Sequence, residues 1–186
     1  MIIAAEYSFS NGCAIQKTLL QEVEDIIAVV DALSCKTKKS KEKTMKGKML
    51  YSPTDLNNAF AQGFESKGWR KKRVSIPQPT IADHYRSGYL RKQMRPAYRE
   101  IDFLKERLGI EVQFGVYQSM VYDVYVKFPI FRNLGYIDAG IEIVPVKSFT
   151  DEMSTSVPYF ERFVWELKAS GVVDIDIPVL IFGIDA

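Results

Sequence analysis

Apolar residues alternate with polar residues or glycine over residues 108–115, and the apolar positions are Leu108, Ile110, Val112 and Phe114. This period of two predicts a β-strand with one buried face, so that Glu111 and Gln113 point to the same side of it. Asp102, at the end of a helix-compatible stretch, lies on a short apolar run that can pair with this strand through a turn at residues 105–108. Such pairing would bring the carboxylates of Asp102 and Glu111 together.

Similar patterns divide the rest of the chain into alternating strands and helices. Further strands are predicted at residues 1–5, 137–146 and 177–184, with a loop at residues 7–12. Helices are predicted at residues 17–33, 52–67, 118–133 and 158–169, and one or two short helices within residues 81–99. Ser52 is the expected N-cap of the second helix, with Pro53 at its first position, and Pro158 is expected to start the last. This order predicts an α/β fold with a mixed central sheet flanked by helices, in a single domain over residues 1–186.

The paired acids indicate a metal site. Asp102 and Glu111, with the Val112 carbonyl between them, would form a hard oxygen site suited to a divalent cation, Mg²⁺ by default. The spacing matches the motif of the PD-(D/E)xK nucleases, except that Gln113 stands where most members have lysine. On spacing alone, two exposed acids at a sheet edge are the commoner explanation.

Basic residues are concentrated in one segment of the chain. Residues 35–99 contain 17 of the 25 Lys and Arg residues but only 4 of the 23 acids, although the net charge of the whole chain is +2. Such segregation is typical of a protein that binds a polyanion, so we expect this segment to face DNA. Within it, the run Lys36, Lys38, Lys39, Lys41, Lys43, Lys46 and Lys48 is expected to be a mobile arm that orders against phosphates. A solvated lysine loop explains this run equally well.

Other classes of protein receive little support. No apolar run approaches a membrane span, and the N-terminus lacks the pattern of a signal peptide. Cys13 and Cys35 have neither disulfide-framework nor metal spacing, which predicts an intracellular, cytoplasmic protein. The single histidine, His84, argues against histidine-based zinc sites and Ser/His/Asp chemistry.

Three stretches of the chain are distinctive. They are Glu-Val-Gln-Phe-Gly at residues 111–115, Lys-Ser-Lys-Glu-Lys-Thr at residues 39–44 and Leu-Tyr-Ser-Pro at residues 50–53. Together they resemble the BglII/BstYI group of type II restriction endonucleases, and its BstYI branch more than its BglII branch. The resemblance covers most of residues 1–75 and 101–186 and includes Gln113, because this group is similar in having glutamine there. It implies a PD-(D/E)xK restriction-endonuclease-like core.

The resemblance also implies an activity. The expected enzyme is a homodimer that uses Mg²⁺ to cut both strands of double-stranded DNA at a short palindrome of the purine-GATC-pyrimidine type, with a cognate DNA methyltransferase in the same system. Asp102 and Glu111 look like its metal-binding carboxylates, and the Val112 carbonyl looks like a further ligand. Gln113 looks like the residue that helps to position the attacking water. Asp123 also matches the family, but we expect it to be a helix residue that faces the core.

Base recognition is expected in a second region. The loop of Ser154, Thr155 and Ser156 matches the recognition loop of the family in position, and hydroxyl groups can donate to or accept from base edges. Val116 stands where relatives have a polar residue that contacts bases. It cannot form a hydrogen bond but could pack on a thymine methyl group.

Three hypotheses therefore remain. The favoured one is a site-specific Mg²⁺-dependent DNA endonuclease. The second is a non-catalytic protein that binds double-stranded DNA through the basic segment. The third is a nuclease of the same fold that acts in repair or on RNA without a fixed site.

Overall fold

The computed structural model describes residues 1–76, 86–89, 97–115, 118–154, 156–172 and 174–186. Its strands are β1 (Ile2–Phe9), β2 (Lys38–Lys39), β3 (Met49–Leu50), β4 (Arg70–Ile76), β5 (Ala97–Lys105), β6 (Leu108–Val112), β7 (Ala139–Pro145) and β8 (Val179–Asp185). Its α-helices are α1 (Ile15–Thr18), α2 (Leu20–Ala32), α3 (Pro53–Ser66), α4 (Gln118–Tyr122), α5 (Phe128–Asn133), α6 (Lys147–Thr150) and α7 (Phe160–Ala169). One turn of π-helix over Asp123–Lys127, called the π-turn below, joins α4 to α5.

Six of the described strands form one mixed sheet in the order β1-β8-β7-β6-β5-β4. The central strands β6, β7 and β8 are parallel, whereas β1, β5 and β4 pair antiparallel with their neighbours. Strands β2 and β3 form a separate two-stranded ribbon. The predicted α/β fold with a mixed central sheet flanked by helices is confirmed.

Helices cover both faces of this sheet. On one face, Val23 and Ile26 of α2 and Phe60 and Phe64 of α3 belong to a buried cluster with the apolar side of β6. On the other face, α5 and α7 form a second cluster with β7 and β8. Every residue of β6 and β7 is buried, as expected for parallel strands covered on both sides. A charged residue in either strand therefore lies inside the protein.

Helix α3 begins as predicted. The Ser52 side chain accepts a hydrogen bond from the backbone N–H of Asp55 at 3.3 Å, and a proline occupies the first turn. The helix ends before Gly68, whose φ of +87° suits glycine.

One buried ion cluster ties three elements together. Asp25 of α2 pairs with Lys67, which follows α3, at 3.3 Å and with Lys105 of β5 at 2.6 Å. Burial alone would raise the pKa of Asp25, but the hydrogen bonds and charges of the two lysines outweigh burial and lower it. Its three residues do not line the cleft described below.

The β5–β6 hairpin is the element that positions the predicted acids. Phe103 pairs with Ile110 and Lys105 with Leu108, so the chain reverses at the predicted turn. Gly109 leaves room for Ile101, because a Cβ atom at residue 109 would lie 2.4 Å from Ile101 Cδ1 and force that side chain to move. The close antiparallel pairing sets Asp102 beside the end of β6, as the alternation of the sequence predicts.

Several predicted boundaries are wrong. Residues 7–9 are not a loop, because β1 continues to Phe9 and pairs with β8. Residues 97–99 are not helical but begin β5, which pairs with β4, a strand that is absent from the predicted elements. The last helix begins at Phe160 and not at Pro158, since Tyr159 is still extended. Four of the seven residues of β4 are basic, and residues 97–99 are exposed, so a hydrophobicity pattern does not reveal these stretches as strands.

Two other predictions are changed in detail. The helix predicted at residues 17–33 is interrupted at Leu19, whose ψ of +50° separates α1 from α2. Part of the lysine run is ordered, because Lys38 and Lys39 form β2 against β3. Residues 77–85 and 90–96 lie outside the described residues. Most of the one or two helices predicted within residues 81–99, and His84 with them, fall there.

Candidate active site

A cleft of about 490 Å³ opens between the β5–β6 hairpin and the π-turn. It is lined by Tyr98, Arg99, Glu100, Asp102, Glu111, Gln113, Tyr122, Asp123 and Lys127. The structure thus brings Asp102, Glu111 and Gln113 to one place, as their spacing predicts. The remaining residues of the lining come from the N-terminal half of β5 and from the helical segment after β6.

Asp102 is fixed to the neighbouring strand. Its Oδ2 accepts a hydrogen bond from the backbone N–H of Val112 at 3.2 Å. The backbone N–H of Gln113 donates in turn to the Ile143 carbonyl of β7 at 2.9 Å. The end of β6 is therefore held from both sides, and the main chain that carries Glu111 and Gln113 has little freedom to move.

Glu111 is almost completely buried, with 4% of its surface exposed. Burial, and next the nearby Asp102 carboxylate, raise the pKa of Glu111 well above its ordinary value, while Lys127 opposes the rise. The side chain therefore holds its negative charge only with help from a neighbouring positive charge.

Lys127, which is not among the site residues predicted from the sequence, supplies one such charge. Its Nζ lies 3.0 Å from Glu111 Oε1 and 2.6 Å from Asp123 Oδ1, and its side chain is only 15% exposed. The contact with Glu111 is an ion pair. Burial alone would lower the pKa of Lys127, but the carboxylates of Glu111 and Asp123 outweigh burial and raise it.

Asp123 is buried, as predicted, but it does more than face the core. It lines the cleft and pairs with Lys127. Burial raises the pKa of Asp123, and the positive charge of Lys127 opposes that rise. The prediction of a purely core-facing role is therefore wrong in part. An Asp and a Lys four residues apart inside an otherwise apolar helix were the available signal.

Glu142 lies beneath the cleft. It is directly in register with Glu111 across the parallel β6–β7 pair, so both side chains point to the same face of the sheet. It is completely buried, and neither carboxylate oxygen has a hydrogen-bond partner in the described part of the chain. Burial, then the charges of Asp123 and Glu111, raise the pKa of Glu142 well above its ordinary value. Burial therefore favours the neutral form of this carboxyl group.

The donor set for a metal is small. Among the described residues, no group of three or more His, Cys, Asp or Glu side chains is arranged to hold a metal ion. The predicted site has two carboxylates, and the Val112 carbonyl as a third ligand stays a prediction. The cleft also contains Arg99, whose Nε donates to the Tyr122 hydroxyl at 2.7 Å.

The predicted DNA-binding residues meet in a second region. Lys38, Lys39 and Lys41 line a cleft that Ser154 also borders, and a hydrogen bond of 2.8 Å from the Tyr51 N–H to the Glu152 carbonyl joins the two segments. Ser154 and Ser156 line an adjoining cleft beside Arg162. Lys36 and Lys43 are exposed nearby in sequence. Val116 and Thr155 lie outside the described residues.

Within the described residues, no helix has both the length and the apolar character to cross a bilayer.

Comparison with known proteins identifies the family. A family model described as restriction endonuclease BglII/BglIII matches residues 4–184. The crystal structure of BglII complexed with a DNA 16-mer superposes with a TM-score of 0.71 at 19% identity, covering 98% of this chain and 78% of that one. Free BglII gives a TM-score of 0.67 at 17% identity, covering 98% and 79%. No curated protein matches the chain. Because the family model spans nearly all of its residues, the chain belongs to the BglII/BglIII family of restriction endonucleases, enzymes that cleave DNA at specific sites.

Proposed function

We propose that the protein is a homodimeric type II restriction endonuclease that uses Mg²⁺ to hydrolyse both strands of double-stranded DNA at a short palindrome. The observation that carries this proposal is the convergence of Asp102, Glu111 and Gln113 on one cleft at the end of β6. A closer likeness to BstYI than to BglII, a GATC-containing target and a cognate methyltransferase stay predictions from the sequence.

The charges around the cleft fit a divalent cation. Three acidic side chains, those of Asp102, Glu111 and Asp123, lie around the ammonium of Lys127. Burial disfavours the ionised form of such carboxyl groups, and a bound cation would favour it. Carboxylate and carbonyl oxygens are also the ligands that Mg²⁺ prefers.

Each residue then has a definite task. Asp102 and Glu111 would hold the cation, with the Val112 carbonyl as a further ligand. The bound cation would polarise the scissile phosphate and lower the pKa of a water molecule. Gln113 carries no charge, so it would position the attacking water by hydrogen bonds from its side-chain amide.

DNA binding is assigned to the surface around Ser154. Lys36, Lys38, Lys39, Lys41 and Lys43 would neutralise backbone phosphates, and the loop of Ser154, Thr155 and Ser156 would contact base edges together with Val116. The solved complex of BglII with a DNA 16-mer supports DNA as the ligand, since the two folds correspond over almost all of this chain.

The test is cleavage of a defined plasmid, followed by sequencing of the new ends. We expect discrete fragments with Mg²⁺ and none with EDTA. Asp102→Asn should lower the rate at least about 10³-fold, since a metal ligand supports several kcal/mol of transition-state stabilisation. Asn can still accept the hydrogen bond from Val112, so the variant should fold and retard DNA normally.

The other outcomes identify the alternatives. Retarded but intact plasmid under every metal condition would indicate a DNA-binding protein without activity. A smear without a common end sequence would indicate a nuclease without a fixed site. Sedimentation equilibrium of the free protein tests the dimer independently of cleavage.

A further inference from the structure

The cleft lacks the basic residue that usually accompanies its acids. In most PD-(D/E)xK nucleases a lysine stands two residues after the glutamate of the motif, and here that position is Gln113. An amide can orient a water molecule but cannot offset the charge of a phosphate or of a carboxylate. Arg99 and Lys127 are the basic side chains in the described lining of the cleft; Arg99 donates to the Tyr122 hydroxyl, whereas Lys127 contacts Glu111.

Lys127 has the position and the surroundings to supply a positive charge to the cleft. It reaches the cleft from the π-turn, on the opposite side from the hairpin, and its Nζ lies 3.0 Å from Glu111 Oε1. The second contact, 2.6 Å to Asp123, fixes the ammonium in place. Single π-turns inside helices occur frequently at functional sites. A lysine with a side chain only 15% exposed is seldom found without a partner or a role.

We propose that Lys127 is a positioning residue of the active site, which supplies from the helix the positive charge that Gln113 cannot supply from the strand. This inference rests on the proposed endonuclease function. Lys127 holds the Glu111 carboxylate toward the cleft and offsets its charge, so that Glu111 stays beside Asp102 although the two carboxylates repel each other. Asp123 holds Lys127 in turn, which gives this buried acid a task that the motif does not assign.

A purely structural ion pair is the competing explanation, and the chain contains a matched control for it. Lys105 also pairs with a buried aspartate at 2.6 Å and is 27% exposed, but it does not line the cleft. Lys105→Met and Lys127→Met each remove one ammonium from a buried carboxylate. Both variants should lose stability, and only Lys127→Met should lose catalysis.

The decisive experiment measures DNA binding in Ca²⁺ and single-turnover cleavage in Mg²⁺ with saturating enzyme. We expect Lys127→Met to keep its affinity for DNA within about threefold and to cleave at least about 100-fold more slowly, a loss of about 2.7 kcal/mol. Lys105→Met should cleave at the wild-type rate once it is folded. Near-UV circular dichroism at the assay temperature establishes the folded fraction of each variant.

Restoring the charge from the strand is the sharper test. Gln113 lines the same cleft, so the double variant Gln113→Lys/Lys127→Met carries a lysine where other members of the superfamily have one. We expect it to cleave at least tenfold faster than Lys127→Met. A structural role for Lys127 gives no reason for such a rescue.

If Lys127→Met does not fold, the double variant Asp123→Asn/Lys127→Met takes its place as the starting protein for the Gln113→Lys test. In this double variant the buried Asp123 charge is removed together with the lysine that offsets it. The inference is overturned if either starting protein cleaves within threefold of the wild type, or if lysine at residue 113 restores nothing. A wild-type protein that never cleaves DNA would instead refute the proposed function itself.

Discussion

Glu142 offers a direct test of how the buried charges are balanced. The side chain is completely buried, its oxygens have no hydrogen-bond partner in the described part of the chain, and it lies in register with Glu111. Replacement by glutamine keeps the size of the side chain and removes the ability to ionise. We expect Glu142→Gln to be more stable than the wild type at neutral pH.

The sign of the pH dependence follows from the raised pKa of Glu142. Unfolding returns the carboxyl group to an ordinary value near 4.5, whereas burial and the charges of Asp123 and Glu111 raise it well above that value in the folded protein. Between the two values the folded protein binds a proton that the unfolded chain has released. The free energy of unfolding therefore falls as the pH rises through this interval.

The magnitude follows from the same linkage. One proton bound only by the folded state changes the free energy of unfolding by about 1.4 kcal/mol for each pH unit. Across two pH units at this limiting slope, the wild type loses about 2.7 kcal/mol that Glu142→Gln keeps. At a pH below the ordinary pKa of the carboxyl group, Glu142 and the glutamine that replaces it are both neutral. The wild type and Glu142→Gln should then be nearly equal in their free energy of unfolding.

Urea unfolding between pH 4.5 and 8, in EDTA, measures the difference directly. For a chain of this length about 1 kcal/mol corresponds to a shift of about 2–4 °C in Tm, so thermal unfolding provides a second measure. Glu24→Gln, at an exposed position of α2, is the control and should follow the wild-type curve. Parallel curves for wild type and Glu142→Gln would refute the assignment of a neutral, buried acid.

Three further predictions concern the scaffold. Gly140→Ala should destabilise the protein by about 1–3 kcal/mol in urea, because the new Cβ would lie 2.6 Å from the Phe128 ring. Ser52→Ala should cost about 1 kcal/mol, since it leaves the backbone N–H of Asp55 without its cap. Asp25→Asn should destabilise the protein by about 1–2 kcal/mol at neutral pH, because its two lysine partners are only partly solvated. Because the pKa of Asp25 is lowered, its pH dependence is opposite to that of Glu142. The ion pairs of Asp25 stabilise the fold above pH 3.8, and this stabilisation is lost as the pH falls further. The difference in the free energy of unfolding between Asp25→Asn and the wild type should therefore narrow in acid.

The hairpin that carries the motif could be predicted from the sequence because all of its determinants are local. Only eight residues lie between Asp102 and Glu111, and the alternation of apolar side chains fixes which face each residue occupies. Ser52 marks the start of α3 for the same reason, since a cap and the amide it receives are three residues apart. The edge strand β4 escaped because most of its residues are basic and none of them is fully buried.

Lys127 and Glu142 could not be assigned to the site in this way. Their positions depend on the pairing of β6 with β7 and on the packing of a helix across both strands, contacts between residues far apart in the chain. In the sequence, Glu142 is one acid inside an apolar strand and Lys127 is one base inside an apolar helix. Each has a plausible explanation as an exposed position of an amphipathic element.

The exceptions to the hydrophobic pattern nevertheless share a cause. Glu111 and Glu142 interrupt strands that are otherwise apolar, and Asp123 and Lys127 interrupt a helix that packs against those strands. Burial of a charge has a cost in free energy, so four such interruptions are compatible with one stable fold only if they lie together and offset one another. The parallel register places the two glutamates side by side, and the π-turn sets the lysine against one of them. Charged residues inside strands and helices that are otherwise apolar are therefore candidates for one site, even when no motif connects them.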